Sequence, residues 1–506
     1  MAESAPKLET KAASSRISAG DSAVTGSGQA VISFRGTPQA ELFSRIINES
    51  LAGTLKLNLV RTATATEPAG FVHASPPGQE WSGTFWTRDG GTYLRELTLW
   101  GADTEMRLVA NAVIDLVGRN EEGFRTYPEY FKGGSPNTGH ELDGTGCIII
   151  ALSLVAARLP EDDPLLAKIH TFLLSPESPV RYFTAVLAKA PLVAGTGEFG
   201  PGCFLPGKAC NVVQNGLVRL ALISAAQVAE AAGDKVMATL WRSAATRLGE
   251  AMLRYLAAED GGWQWCVTPG TFKPDPEVLN HEINDGFGGI MGILCMQSDV
   301  LGLEPDATWL GLDRARATFE RLWKFPRRQE MYGRYGIWLQ FNRYLNGTHS
   351  SPSYGHDYAL QSMLLLDKVE MAQTGLHGLA EQTYNQGQVR SPYYIFEQWR
   401  LPPVPDMAKI GCGELNLVNV TETLKVARML IGLDDRDPAK PRLVPRLPPG
   451  WTEAVAQRLP VRTSTGVRRV TVSIRREGAG LRTEVIAEDG NPLTITVAAS
   501  ALPGGA

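Results

Sequence analysis

Between Trp81 and Trp100 the chain reads WSGTFWTRDGGTYLRELTLW, which sets a neighbouring cation and anion, Arg88 and Asp89, among three aromatics, Trp81, Phe85 and Trp86. A planar guanidinium and a carboxylate can bind the edges of a ring rich in hydroxyls while indole faces cover its C–H surface. Taken singly, such a pair more often caps a helix on a solvated turn. The crowding aromatics shift the balance towards a ligand site. Comparable ionisable groups recur along the chain: His140, Glu141 and Asp143; Glu198 and Lys208; His281, Glu282 and Asp285; His356 and Asp357; Glu397 and Glu414. Any one of these groups is better explained as a cap or a surface charge. Their recurrence ahead of successive apolar helical patterns describes a pocket whose carboxylates are kept ionised by helix N-termini. A pocket lined in this way suits a carbohydrate.

The elements that must position these groups are helices. Thr87 and Asp89 are good helix starters, Gly90-Gly91 permits a tight turn, and Tyr93, Leu94, Leu97 and Trp100 repeat at helical spacing. One helix is therefore expected from Gly91 to about Val117, after an earlier one over Pro38 to Leu51. The pattern of loop, apolar helix and more polar helix then repeats: Gly146 to Leu159, two helices between Pro164 and Ala190, and a hairpin of Asn211 to Ala232 with Asp234 to Ala257. It continues with a short apolar helix near Ile290 to Gln297, Ala307 to Leu322, Tyr358 to Asp367, Glu370 to Tyr384 and a last helix ending about Gly432. No fixed-length repeat accompanies this beat, which disfavours a strict solenoid. Inner helices ringed by outer ones, with alternate loops at a common mouth, explain why only alternate loops carry ionisable clusters. The expected fold is mainly α, an (α/α)6 toroid over 29–435, preceded by a disordered arm at 1–28. Residues 436–506, with the alternating runs VRRVTVSIR, LRTEVIA and LTITVAA, are expected to form a small β-sandwich-like domain.

Composition sets the remaining bounds. A 506-residue chain with 43% hydrophobic residues supplies an ample core. A formal charge of −4 and the lack of a Lys/Arg run argue against nucleic-acid partners. Apolar runs such as Cys147 to Ala156 are too short to cross a bilayer, so a soluble protein is expected. The Ala/Ser/Gly-rich N-terminus lacks the apolar core of a secretory signal, which points to the cytoplasm; a chain whose leader had been removed would read the same. The six cysteines form no CxxC pair and have no histidine at ligand spacing, so buried thiols are expected and no metal or cofactor. A Cys203–Cys210 bridge is conceivable but nothing local requires it.

On these residues the chain resembles the glucoamylase-type glycoside hydrolases, enzymes built on a six-hairpin (α/α)6 barrel. Trp86-Thr87-Arg88-Asp89 is similar to that family's WTRD motif, whose Arg and Asp grip the sugar in the cleaved subsite. Leu142-Asp143-Gly144-Thr145-Gly146 resembles the LDGTG stretch that opens the second inner helix in bacterial members. Glu397-Gln398-Trp399 falls in the last inner loop, where the resemblance implies the general base, Glu397. The likeness spans roughly residues 80 to 430. One departure stands out: family members carry an acid in the third inner loop, where this chain reads CFLPGKAC with Lys208. The proton donor is then Glu198, Glu282 or Asp285, and Glu282 in HEIND is favoured because it directly precedes a helix.

The resemblance implies an exo-acting, inverting glycosidase on a small α-linked glycoside or oligosaccharide. Two carboxyls of different protonation state would flank the bond, one giving a proton while the other activates water. Glu397 and Glu282 fill these roles, and Trp86, Arg88, Asp89, His140, Glu141, Asp143, Lys208, His281, Asp285, His356 and Trp399 line the sugar site. Tyr393 and Tyr394 would add to its wall. The missing third-loop acid leaves open elimination of a uronide, with Lys208, His140 or His281 as base and Arg88 on the carboxylate. Phosphorolysis, and sugar binding without chemistry, remain open too, and the sequence does not fix the oligomeric state.

Overall fold

The computed structural model describes residues 9–10, 29–57, 59–62, 69–75, 81–115, 118–132, 135–136, 141–195, 209–274, 310–339, 349–350, 352–381, 395–400 and 411–500. Helix α1 spans Pro38–Glu49, with Pro38 at its first turn and the Thr37 hydroxyl accepting from the Ala40 N–H. Next come α2, Thr87–Leu99, and α3, Asp103–Asp115. These two replace the single helix expected over Gly91 to Val117. The chain breaks at Gly101, which takes φ +72°, and the Ala102 N–H closes back on the Leu97 carbonyl at 2.9 Å. A left-handed glycine stop of this kind turns one periodic run into a helical hairpin. Apolar periodicity alone runs straight through it.

Helix α4, Leu142–Ala156, is followed by α5, Pro164–Leu174, and α6, Pro179–Lys189, each of the latter two opening on proline behind a capping Asp163 or Ser178. Then α7, Val212–Ala231, and α8, Lys235–Tyr255, form the expected hairpin around Gly233 at φ +83°. Further along lie α9, Leu312–Trp323; α10, Pro326–Tyr335; α11, Tyr358–Leu365, preceded without a break by the wide π-turn Pro352–Asp357; α12, Val369–Leu379; and α13, Leu417–Ile431. The helix expected near Ile290 to Gln297 lies outside the described residues.

The inner ring is read from helix-to-helix contacts. Gly91 on α2 lies so close to α4 that a Cβ there would come 2.6 Å from the Cys147 Cβ, and Gly146 on α4 faces Leu217 on α7. The Thr92 and Thr421 hydroxyls meet at 3.1 Å between α2 and α13, and Gln361 on α11 donates to Glu422 on α13 at 2.8 Å. Each of these helices starts at the same end, so their first turns form a common rim. Helix α1 closes the outer ring near the C-terminal end of the helical unit, with Gln39 hydrogen-bonded to Glu381 just past α12. Helix α7 is long and apolar enough to cross a bilayer by composition, a feature missed in the apolar runs of the sequence. Here 89% of its most apolar window is buried within the protein, as an inner helix requires.

The C-terminal strands form two small sheets. The larger orders its strands as 9–10, 480–487, 466–477, 453–463 and 31–35. Its edge strand Val31–Arg35 pairs antiparallel with 453–457, so residues expected to open the barrel domain complete the C-terminal sheet. Within the arm expected to be disordered, Glu9–Thr10 pair in parallel with Arg482–Thr483. The Phe34 ring lies 4.9 Å from Trp451, tilted against it, and Trp451 also meets Phe43 of α1, so one aromatic cluster joins sheet and barrel.

Candidate functional site

The rim between α2 and α4 carries the clearest constellation. Trp86 ends the strand Thr84–Trp86, and α2 begins at once with Thr87, whose hydroxyl donates to the Pro128 carbonyl at 2.7 Å. Arg88 and Asp89 therefore lie in the first helical turn. Gly90 and Gly91 lie there too, in contrast to the tight turn expected of them. A Cβ at Gly90 would come 2.0 Å from the Phe85 ring, and one at Gly91 would strike α4. Both glycines thus serve close packing. Gly144 does the same from α4, where a Cβ would come 2.2 Å from the Thr87 Oγ1.

This approach brings three carboxylates around one guanidinium. Arg88 Nε lies 3.7 Å from Asp89 Oδ1, and its Nη1 lies 3.5 Å from Glu141 Oε1 and 3.9 Å from Asp143 Oδ2. All four side chains are at most 4% exposed. These separations are those of ion pairs, longer than a direct charge-assisted hydrogen bond. Asp143 Oδ1 also accepts from the Gly144 N–H at 3.1 Å. Carboxylates in the first turns of α2 and α4 are favoured by the positive ends of both helix dipoles.

An aromatic ledge adjoins the charges. The Trp86 ring lies 4.8 Å from Tyr130 and 6.3 Å, edge-on, from Trp81. Strand pairing of Trp86 with Tyr130 fixes that geometry. Tyr130 was not singled out in the sequence, because a tyrosine in a polar loop gives no sign of the strand opposite it.

Beneath the rim the barrel interior is polar and closely coupled. Burial pushes the Tyr93 hydroxyl well above its ordinary range, with Asp89 adding to the shift and Arg88 opposing it. Tyr358 on α11 is raised likewise by burial, then Glu422, with Arg88 opposing and Cys147 adding. The Cys147 thiol is pushed up to about 12, first by burial and then by Asp143. Groups from α2, α4, α11 and α13 therefore share one electrostatic interior.

Lower still, Arg95 donates to Glu96 at 2.7 Å and to Glu422 at 3.0 Å, and Arg428 donates to Glu96 at 3.1 Å. Burial would raise both carboxyls; Arg428 and Arg95 hold Glu96 low, while Arg95 and Lys425 hold Glu422 low. Lys425 is pushed down to about 7 by burial and by Arg95, against Glu422. Asp357, raised well above its usual range by burial and Glu422, accepts from the Thr423 hydroxyl at 2.9 Å. Apart from Asp357, this network was not foreseen, since charges spaced along a helix read as a solvated face.

His356 departs from expectation. It is fully buried, its Nδ1 accepts from the Trp338 N–H at 3.0 Å, and its Nε2 lies 2.9 Å from the Gly375 carbonyl. Burial pushes it down to about 4 despite that carbonyl. A neutral imidazole committed to two backbone groups braces α11 and is not offered to a sugar.

Glu397 and Trp399 lie on the strand Ile395–Arg400, whose side chains are outside what the structure describes. Its partner strand, Gly411–Asn416, leads directly into α13, and the pairing shifts register so that Gly413 and Glu414 together oppose Glu397. A bulge of this kind re-aims a strand locally. The strand Ile395–Arg400 lies against the turn Pro352–Asp357 and against α13. His140, Glu198, Lys208, His281, Glu282 and Asp285 lie outside the described residues, as do Tyr393 and Tyr394. Cys147 and Cys210 are free thiols.

No family model matches the sequence. No curated protein matches it by sequence either. Solved structures do match in three dimensions. A GH78 family rhamnosidase of Bacillus sp. GL1 superposes with a TM-score of 0.60 at 15% identity, over 95% of this chain and 43% of its own. The glucoamylase from Saccharomycopsis fibuligera gives 0.55 at 13% identity, over 78% of this chain and 96% of its own. The α-L-rhamnosidase from Dictyoglumus thermophilum gives 0.54 at 12% identity, over 91% of this chain and 44% of its own. The chain thus spans less than half the length of either rhamnosidase. It has the (α/α)6 fold of the six-hairpin glycosidases, with added C-terminal strands.

Proposed function

We propose that this protein is a glycoside hydrolase that releases a terminal sugar from a small α-linked glycoside or oligosaccharide with inversion. The observation that carries the reading is Arg88 ringed by Asp89, Glu141 and Asp143 at the joined first turns of two inner helices, beside the Trp86 and Tyr130 rings. Sugar hydroxyls would exchange into the ion-pair ring, donating to carboxylates and accepting from the guanidinium. The indole and phenol faces would cover a C–H face of the same ring. In this reading Glu397 removes a proton from the attacking water and Glu282 protonates the leaving oxygen. Inversion needs room for that water, about 6.5–9.5 Å between the two carboxyls. Carbohydrate is the partner this chemistry recognises.

The test is a screen of aryl glycosides and natural disaccharides, with and without phosphate, in which released sugar is measured and its first-formed anomer read by proton NMR. Phosphate-independent release with inverted configuration supports the reading. A product absorbing in the near ultraviolet would indicate elimination, and strict phosphate dependence would indicate phosphorolysis. Either result would overturn hydrolysis, as would calorimetric binding of a sugar without turnover.

A further inference from the structure

At the end of the barrel opposite the rim, a cavity of about 50 Å³ lies where the last turns of α2 and α13 and the end of α4 meet the C-terminal strands. Its charged lining is Arg158, Arg428, Arg436 and Arg446 with Asp434 and Asp435. Four guanidinium groups against two carboxylates is an unusual excess for a buried place, because an uncompensated interior charge is costly. Part of it is accounted for nearby. Arg428 pairs with Glu96 at 3.1 Å, Arg436 with Asp434 at 2.5 Å, and Arg446 lies 3.9 Å from Asp367 while donating to the Met429 carbonyl at the end of α13. Cations at helix C-termini are also favoured by the dipole.

Arg158 is accounted for through only one of its nitrogens. Its side chain is 6% exposed, and its Nη2 gives both of its contacts to Asp435, at 2.7 and 2.8 Å. Nε and Nη1 are buried and have no hydrogen-bond partner among the described residues. Buried N–H donors in native proteins are almost always satisfied, by protein, water or an ion. Here the unsatisfied nitrogens belong to a guanidinium that lines a cavity together with three other arginines.

We propose that this cavity is a binding site for a small tetrahedral oxyanion of the phosphate or sulfate class, held by Arg158 and its neighbouring arginines. The volume is that of about three or four waters, which matches one such ion and excludes a sugar. The lining comes from both the helical ring and the C-terminal strands, so the ion would fasten one to the other. Its binding would stabilise the fold by mass action. This site is separate from the rim, and its standing does not depend on the glycosidase reading.

The experiment measures thermal unfolding and calorimetric binding with inorganic phosphate against chloride at matched ionic strength, in the full chain. Wild-type protein is expected to gain stability saturably with phosphate, and sulfate is expected to compete. Arg158→Met removes the donors, although loss of the Asp435 pair could itself unfold the protein. Arg158→Lys is the second variant, since an ammonium keeps the Asp435 pair but lacks the Nε and Nη1 donors. It is expected to fold normally and to bind phosphate about tenfold more weakly or worse. Arg88→Lys is expected to leave phosphate binding unchanged. The proposal is overturned if phosphate gives no saturable effect in wild type, as a cavity filled only by water would. It is equally overturned if Arg158→Lys binds as wild type does, or if Arg88→Lys abolishes binding and so moves the anion to the rim.

Discussion

At the scale of single residues, Arg88 gathers its partners from two helices that are adjacent in space and about fifty positions apart in sequence. The Arg-Asp pair and the LDGTG stretch were legible because each sits at a helix start, where residue type is constrained by the backbone. Their meeting was not, because it depends on Gly91 and Gly144, whose lack of a side chain reads as turn propensity until a neighbouring helix is seen against them. His356 misled for a similar reason: a histidine before an apolar helix looks the same whether it faces a cleft or a pair of backbone groups. For the proposed base, Glu397→Gln is expected to lower turnover by about 10²- to 10⁴-fold while leaving Tm within a degree or so of wild type. Undiminished hydrolysis by that variant would remove Glu397 from the mechanism.

At the scale of elements, the inner helices are joined by unusually close contacts, and these define the rim. Gly91→Ala would press a methyl into Cys147 on α4 and force the two first turns apart. A loss of about 1–3 kcal/mol is expected, read by denaturant titration; unchanged stability would show that the two helices are not in this contact. A second expectation concerns α11. The folded His356 titrates near 4, below the ordinary 6.5 of an exposed histidine, so below pH 6.5 the unfolded chain takes up a proton that the folded chain refuses. Stability from this group is therefore full above pH 6.5 and falls as the pH drops towards 4, by up to about 3 kcal/mol. Comparing unfolding free energies over that range should show a shallower slope in His356→Gln, and parallel slopes would refute the buried neutral imidazole. The α2–α3 break was hidden in the sequence because Gly101 interrupts an apolar period without changing it.

Across the whole molecule, helical content and the C-terminal strands could be read from periodicity, whereas the partition into units could not. A strand of five residues near the N-terminus carries no label naming its partner more than four hundred residues away, and only the sheet shows that Val31–Arg35 belongs with 453–457. Phe34, buried between Phe43 and Trp451, is the pin of that arrangement. Phe34→Ala is expected to cost about 3–5 kcal/mol and to lower a single calorimetric transition, because sheet and barrel share the cluster. Two transitions, only one of them shifted, would show that the units fold separately. The long apolar α7 likewise shows that composition is decided by context: the same twenty residues would suit a bilayer, and here they wall a ring.

Arg88, with the carboxylates around it, is proposed to hold the sugar whose bond is broken. Once the screen identifies a cleaved glycoside, kcat/KM of Arg88→Lys on that substrate tests this most directly, because lysine keeps the charge and loses the planar fork that two helices have been packed to surround. A fall of about 100-fold or more, about 2.7 kcal/mol of lost transition-state stabilisation, is expected with the fold intact by circular dichroism. A kcat/KM equal to that of wild type would remove Arg88 from the sugar site.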